Sequence, residues 1–118
     1  MQFLIVIYGG SEQDMATMHA EKGAEMNAAF MKYSKELAAA GVMKGGEPLL
    51  GSAHGAKITV REGRRNVIDG PFSEAKEVIG GFYVIDVKSR EEAVEWAVKC
   101  PGALYGSVEL RQVMQIPK

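Results

Sequence analysis

Carboxylates and a lysine crowd one short stretch of this chain: Asp69, Glu74, Lys76 and Glu77 all fall just around an Asp69-Gly70-Pro71-Phe72 segment. Pro71 fixes its own φ and biases Gly70 away from the helical region, so the chain must turn sharply there, and Phe72 can pin the turn to a core. A rigid loop that holds Asp69 beside Glu74 and Lys76 could do acid–base chemistry. Neighbouring acids raise a carboxyl pKa and a lysine opposes the rise. The simpler reading of the same residues is architectural, with Asp69 accepting backbone N–H bonds in an ordinary turn. His54 lies in a Gly/Ser/Ala loop ahead of Lys57, either as an ordinary loop residue or as a proton carrier able to reach a cleft. His19 sits beside a run of methionines and reads as a surface or boundary residue. Neither histidine has metal-ligand spacing, so no metal site is expected. No P-loop, dinucleotide fingerprint or Ser/His/Asp order is visible, and no cofactor is expected.

These residues need elements to hold them. Phe3 to Tyr8 is a continuous β-forming run closed by Gly9-Gly10. From Ser11 to Ala40 the pattern is helical: Met15, Met18, Lys22, Met26, Phe30, Tyr33 and Leu37 recur at three- and four-residue steps, with Gly23 weakening the early part and Gly41 placed to stop it. The methionines read as packing residues. Gly45-Gly46-Glu47-Pro48 reads as a turn, and Leu49-Leu50 as a short strand or a loop anchor. Lys57 to Arg61 alternates polar and apolar, and Asn66 to Ile68 can return as the second arm of a hairpin. A further strand spans Val78 to Val87. Ser89 and Glu92 form a capping box for a second helix with Ala93, Trp96, Ala97 and Cys100 on one stripe, ended by Pro101-Gly102. Cys100 is therefore expected to be a packed thiol. Ser107 to Gln112 alternates again and has the option of running on to Ile116. The order of elements suggests a ferredoxin-like α+β sandwich with an inserted β-hairpin, in a single domain over 1–118.

Composition narrows the function classes. The 118 residues carry 14 basic and 15 acidic side chains, a formal charge of -1, which gives no basic field for a phosphate backbone; direct nucleic-acid binding is not expected. The apolar first strand lacks a basic leader and is too short to span a bilayer, and one cysteine cannot form an internal disulfide. A cytoplasmic protein with no membrane association is the expectation.

Strand faces point to a partner. Phe3, Ile5 and Ile7 alternate with Leu4, Val6 and Tyr8, and Phe82 and Val84 alternate with Tyr83, Ile85 and Val87, so both faces of two strands are apolar. Helices on one side cover one face only. A second copy of the same sheet is the simplest cover for the other, which predicts a homodimer. The polar sets Lys57/Thr59/Arg61 and Ser107/Glu109/Arg111 then either line a dimer-interface cleft or face solvent. Tyr8, Tyr83, Arg61 and Arg111 are the ligand-binding candidates for such a cleft.

The run DGPFSEAKEVIGGFYVIDV resembles the signature of the DGPF group of YCII-related proteins. The segments AAGVMKGGEPLL, EEAVEWAVKCPGA and VELR extend the resemblance over most of the chain. It implies ferredoxin-like subunits whose sheets pack face to face in a dimeric α/β barrel. It also implies an association with extracytoplasmic-function sigma-factor systems, for which DGPF proteins look like companions. Related YCII-type proteins have been proposed as enzymes using a His–Asp pair. Here Phe30 falls where that histidine would be, and Cys100, followed by Pro101, falls at the acid. Two functions remain open: binding of a small molecule in a dimer-interface cleft, or cofactor-independent acid–base catalysis on a small metabolite by Asp69 and Glu74, with Lys76 and His54 as aids.

Overall fold

The computed structural model describes residues 1–72 and 77–117. β1 (Gln2–Tyr8) is paired antiparallel with β5 (Ile79–Asp86) on one side and β6 (Ser107–Gln112) on the other. β2 (Met43–Pro48) adds to the outer side of β5, giving the order β2-β5-β1-β6. This is the ferredoxin-like arrangement, and its alternation decides everything else. Phe3, Ile5, Tyr83 and Ile85 point to the helices and are almost fully buried. Their alternates Leu4, Val6, Phe82 and Val84 point to the other face.

α1 (Glu12–Ala39) starts at a capping box in which the Asp14 N–H donates to Ser11 Oγ and the Ser11 N–H donates to Asp14 Oδ2, both at 3.1 Å. It ends in a Schellman motif: Gly41 takes φ +73, its N–H donates to the Ala38 carbonyl, and the Val42 N–H donates to the Leu37 carbonyl. Lys22, at φ -132, kinks the helix one residue before Gly23. Only the half beyond the kink carries fully buried residues, Tyr33 and Leu37. α2 (Arg90–Lys99) buries Ala93 and Ala97, and Tyr33 ties the two helices by donating its hydroxyl to the Trp96 carbonyl at 2.7 Å. Ser89 accepts from the Glu92 N–H as expected, while the Glu92 carboxylate returns to the Lys88 N–H, one residue before the cap.

Two expectations are corrected. Gly45-Gly46-Glu47-Pro48 is not a turn but part of β2. An edge strand tolerates a terminal proline, and at Gly46 a Cβ would stand 2.8 Å from the Phe82 carbonyl oxygen, so the close approach requires glycine. Pro101-Gly102 does not end the helical region either. Pro101 occupies the first position of a new short helix, α3 (Pro101–Tyr105), where its missing N–H costs nothing. β6 closes at Gln112, short of Ile116.

β3 (Ala56–Arg61) and β4 (Arg64–Asp69) form a separate two-stranded hairpin, turned at Glu62-Gly63 with both residues at positive φ. It makes the molecule broad and thin, 46 × 44 × 18 Å, with a radius of gyration of 16.0 Å. A compact chain of this length would measure about 13.5 Å. Among the described residues no helix is long and apolar enough to cross a membrane.

Candidate functional site

A cleft of about 690 Å³ lies between α1 and the sheet, lined by α1 residues from both sides of the kink at Lys22. The methionine stripe lines this space: Met15, Met18 and Met26 come from α1 and Met43 from β2, with Phe30 beside them. Unbranched thioethers adapt to ligands of different outline, so a methionine wall suits a binding surface as well as a core. Glycines form the opposing floor. At Gly9 and at Gly80 a Cβ would stand 2.7 and 3.2 Å from side-chain carbons of Met15, so the sheet comes up to the methionine only because both positions are bare.

Polar groups converge at one part of this wall. Tyr83 projects toward the helices, and its hydroxyl lies 2.8 Å from Ser34 Oγ on α1. Burial above all pushes the Tyr83 hydroxyl pKa up, so near neutral pH it stays protonated and can both donate and accept a hydrogen bond. His19 and Asn27 line the same cleft from α1. At its side α3 is tied to α1 by Tyr105, whose hydroxyl donates to Glu25 Oε1 at 2.8 Å.

A second polar group sits on the opposite sheet face. The Tyr8 hydroxyl donates to Glu109 Oε1 at 3.0 Å, and Arg111 Nη1 pairs with Glu109 Oε2 at 2.8 Å. The Arg111 bond, with help from Tyr8, holds the Glu109 carboxyl below its ordinary range; the bond to Glu109 in turn raises Tyr8. Both oxygens of Glu109 are thus engaged, beside the apolar patch of Leu4, Val6, Phe82 and Val84.

The Asp69-to-Phe72 segment is built as a clasp. Gly70 presses on Ser52, where a Cβ would overlap the carbonyl oxygen at 1.7 Å. The Gly70 N–H donates to the Gly55 carbonyl at 2.9 Å and the Phe72 N–H to Ser52 Oγ at 3.1 Å. Ser52 donates both its N–H and its hydroxyl to Glu12 Oε1 at the start of α1, and these bonds hold the Glu12 carboxyl low. Lys57 Nζ stands 5.0 Å from the centre of the Phe72 ring. The Gly70–Pro71 peptide bond is cis.

The structure divides the residues singled out from sequence. Tyr83 enters the cleft under α1; Tyr8 lies at its rim but turns its hydroxyl to Arg111's partner Glu109 on the other face. So Tyr83 does not join Tyr8 and Arg111 on one surface. Asp69 closes β4 and is exposed, His54 is exposed in the 3₁₀ turn Ser52–His54, and Arg61 is exposed at the hairpin tip, bonded to the Val60 carbonyl. None of the three lines the cleft. Glu74 and Lys76 lie outside the described residues. Phe30 makes the cleft wall apolar where the resemblance would put a histidine, and Cys100 is sealed in the core with its thiol pKa raised by burial. The methionine stripe, read from sequence as packing, and His19, exposed as a surface or boundary residue should be, line the cleft together with Ser34, which the sequence reading did not single out. Their helical spacing was visible; the gap beneath them was not. Among the described residues no three His, Cys, Asp or Glu side chains gather as metal ligands.

Comparison with known proteins agrees with this framework. An uncharacterised protein of Rhizobium meliloti (strain 1021) is 43% identical over 60 residues, a match spanning 48% of this chain and 48% of that protein, about half the length of each. Among solved structures, the 5-chloro-2-hydroxyhydroquinone dehydrochlorinase of Burkholderia phenoliruptrix AC1100, in complex with 2,5-dihydroxybenzoquinone, superposes with a TM-score of 0.54 at 19% identity. The likeness covers 97% of this chain and 94% of the other, and it is one of fold. The family model for the YCII-related domain matches residues 1–117, and the chain belongs to that family.

Proposed function

We propose that this chain is a homodimeric small-molecule-binding protein whose cleft between α1 and the sheet receives a compact, largely apolar ligand bearing hydroxyl or carbonyl oxygens. The carrying observation is the cleft itself: about 690 Å³, walled by methionines and Phe30, with the Ser34–Tyr83 hydroxyl pair to fix orientation. That volume falls within the roughly 300–1,000 Å³ of small-molecule sites, which are mostly apolar with a few placed polar groups. The dehydrochlorinase of like fold, whose structure holds a small oxygenated ring, supports the ligand class. The sheet's uncovered apolar face supports the dimer.

The probe is 2,5-dihydroxybenzoquinone, titrated into labelled protein and followed by amide chemical shifts. Saturable shifts at Met15, Phe30, Ser34 and Tyr83 are expected, with affinity at least about tenfold weaker in Tyr83→Phe, the loss of one buried hydrogen bond. Shifts confined to the opposite sheet face, or no saturable shift, refute the reading. A second reading, proton transfer to a bound metabolite, is favoured by His19 in the cleft wall. It predicts turnover lost in His19→Gln with binding retained. The sigma-factor association rests on the resemblance alone.

A further inference from the structure

We propose that the β3–β4 hairpin is an arm that lies against a second copy of this chain, with Ile58, Val60 and Val67 as its buried face. The inference rests on the homodimer reading above and adds a second contact region to it. Register fixes the face: Ile58 pairs with Val67 and Val60 with Arg65, so the three aliphatics share one side, flanked by Arg65 and by the Ala56–Asp69 pair. Lys57, Thr59, Arg61, Arg64 and Asn66 share the other, with Ile68 among them. A hairpin with one solvated face should be polar there. This one exposes Ile58, Val60 and Val67 at 65, 59 and 46%.

Isolation makes the exposure costly. A lone two-stranded hairpin is marginally stable in water and needs a third strand or a packed face. The clasp at Gly55, Gly70 and Phe72 pins the root of this hairpin, while every residue of β3 and β4 except Thr59 is exposed. The surface area points to how much cover is needed. The protomer presents 8482 Å², against about 6,300 Å² for a compact monomer of its mass. An excess of roughly 2,200 Å² exceeds the roughly 800 Å² per partner of a standard interface and reaches the obligate-dimer range, in which a sheet face and an arm are buried together.

Two uncovered apolar faces on one chain favour a second copy as the occupant. Arg65 and Asp69 flank the apolar side of the arm, while the open sheet face carries Leu4, Val6, Phe82 and Val84, flanked by Glu47 opposite Phe82 and by the internally paired Glu109 and Arg111. The chain therefore holds both halves of an apolar contact, and two-fold symmetry satisfies each arm with one sheet.

The test is sedimentation of the full chain across micromolar concentrations, comparing wild type with Ile58→Ser/Val67→Ser and with a deletion of residues 56–69. The deletion joins Gly55 to Gly70, whose backbones are already hydrogen-bonded. Circular dichroism and Trp96 fluorescence check that each variant keeps the protomer fold. A dimeric wild type is expected, with association weakened at least about a hundredfold in both variants, since each lost aliphatic contact counts twice in a symmetric dimer. Wild-type association in both variants overturns the arm and leaves the dimer to the sheet face. A monomeric wild type overturns the arm and the dimer together. Cosedimentation of wild type with phosphatidylglycerol vesicles, lost in the double variant, also overturns the proposal by giving the apolar face a membrane as its cover.

Discussion

Gly70→Ala separates the architectural role of the Asp69-to-Phe72 turn from a chemical one. The added Cβ would stand 1.7 Å from the Ser52 carbonyl oxygen and 2.7 Å from its carbon. Both are backbone atoms, so neither can rotate aside, and the turn must retreat by well over an ångström. Retreat breaks the Gly70–Gly55 and Phe72–Ser52 hydrogen bonds. Overpacking costs about 1–3 kcal/mol and each lost bond about 1 kcal/mol, so the clasp loses about 3 kcal/mol or more. The core of Ile5, Leu37 and Ile85 belongs to the other sheet and to α1, so the damage is local. In amide hydrogen exchange the amides of Gly70 and Phe72 should therefore exchange at least about a hundredfold faster, with the amide of Ile85 unchanged. Asp69→Asn is the control. Its side chain is exposed, and an exposed substitution of this kind stays within about 0.5 kcal/mol. Wild-type exchange at the clasp in Gly70→Ala, or equal opening in Asp69→Asn, refutes the reasoning.

Leu37→Ala should cost about 2–5 kcal/mol in urea unfolding, because Leu37 is fully buried against both helix and sheet, whereas Met31→Ala on the exposed side of α1 should cost far less. Glu12 titrates below its ordinary value because Ser52 bonds its charged form. Its support of the clasp is then complete above about pH 4.5 and is lost as pH falls through the lowered folded value; the protection of the Ser52 amide, relative to its intrinsic exchange at each pH, should fall in that acid window, and Glu12→Gln should remove the pH dependence. Cys100, buried with a raised thiol pKa, should resist a disulfide reagent at pH 8 in the native protein and react on unfolding; prompt native labelling contradicts its placement.

What could be read from the sequence was whatever depends on local periodicity. The alternation in β1 and β5 gave the two-faced sheet, and the spacing from Met15 to Leu37 gave the inward stripe of α1 with Gly41 as its stop. What could not be read depends on tertiary partners. Gly45 and Gly46 have poor strand propensity, and only pairing along β5 makes them a strand. Pro101 breaks one helix and begins another, a distinction made by where the chain goes next. Periodicity also says which side of a helix turns inward without saying whether the space beneath is filled; here the stripe read as packing lines a cleft. Asp69 and His54 were grouped by residue chemistry as acid–base candidates, and neither lines the cleft.

The two surfaces proposed for function share the same strands, and the pleat makes them separable. Along β1, Phe3, Ile5 and Ile7 serve the helix side, while Leu4, Val6 and Tyr8 serve the uncovered side; β5 divides at Tyr83 and Ile85 against Phe82 and Val84. A polar residue at Val6 should weaken association without entering the cleft, and Tyr83→Phe should change the cleft without touching the open face. Coupling between ligand and dimer would have to pass through the backbone of β1 and β5, whose antiparallel ladder is rigid. Tyr8 is placed to register both, at the cleft rim with its hydroxyl on Glu109. That makes Tyr8, more than any residue of the Asp69 turn, the position where ligand occupancy and dimer assembly would be felt together.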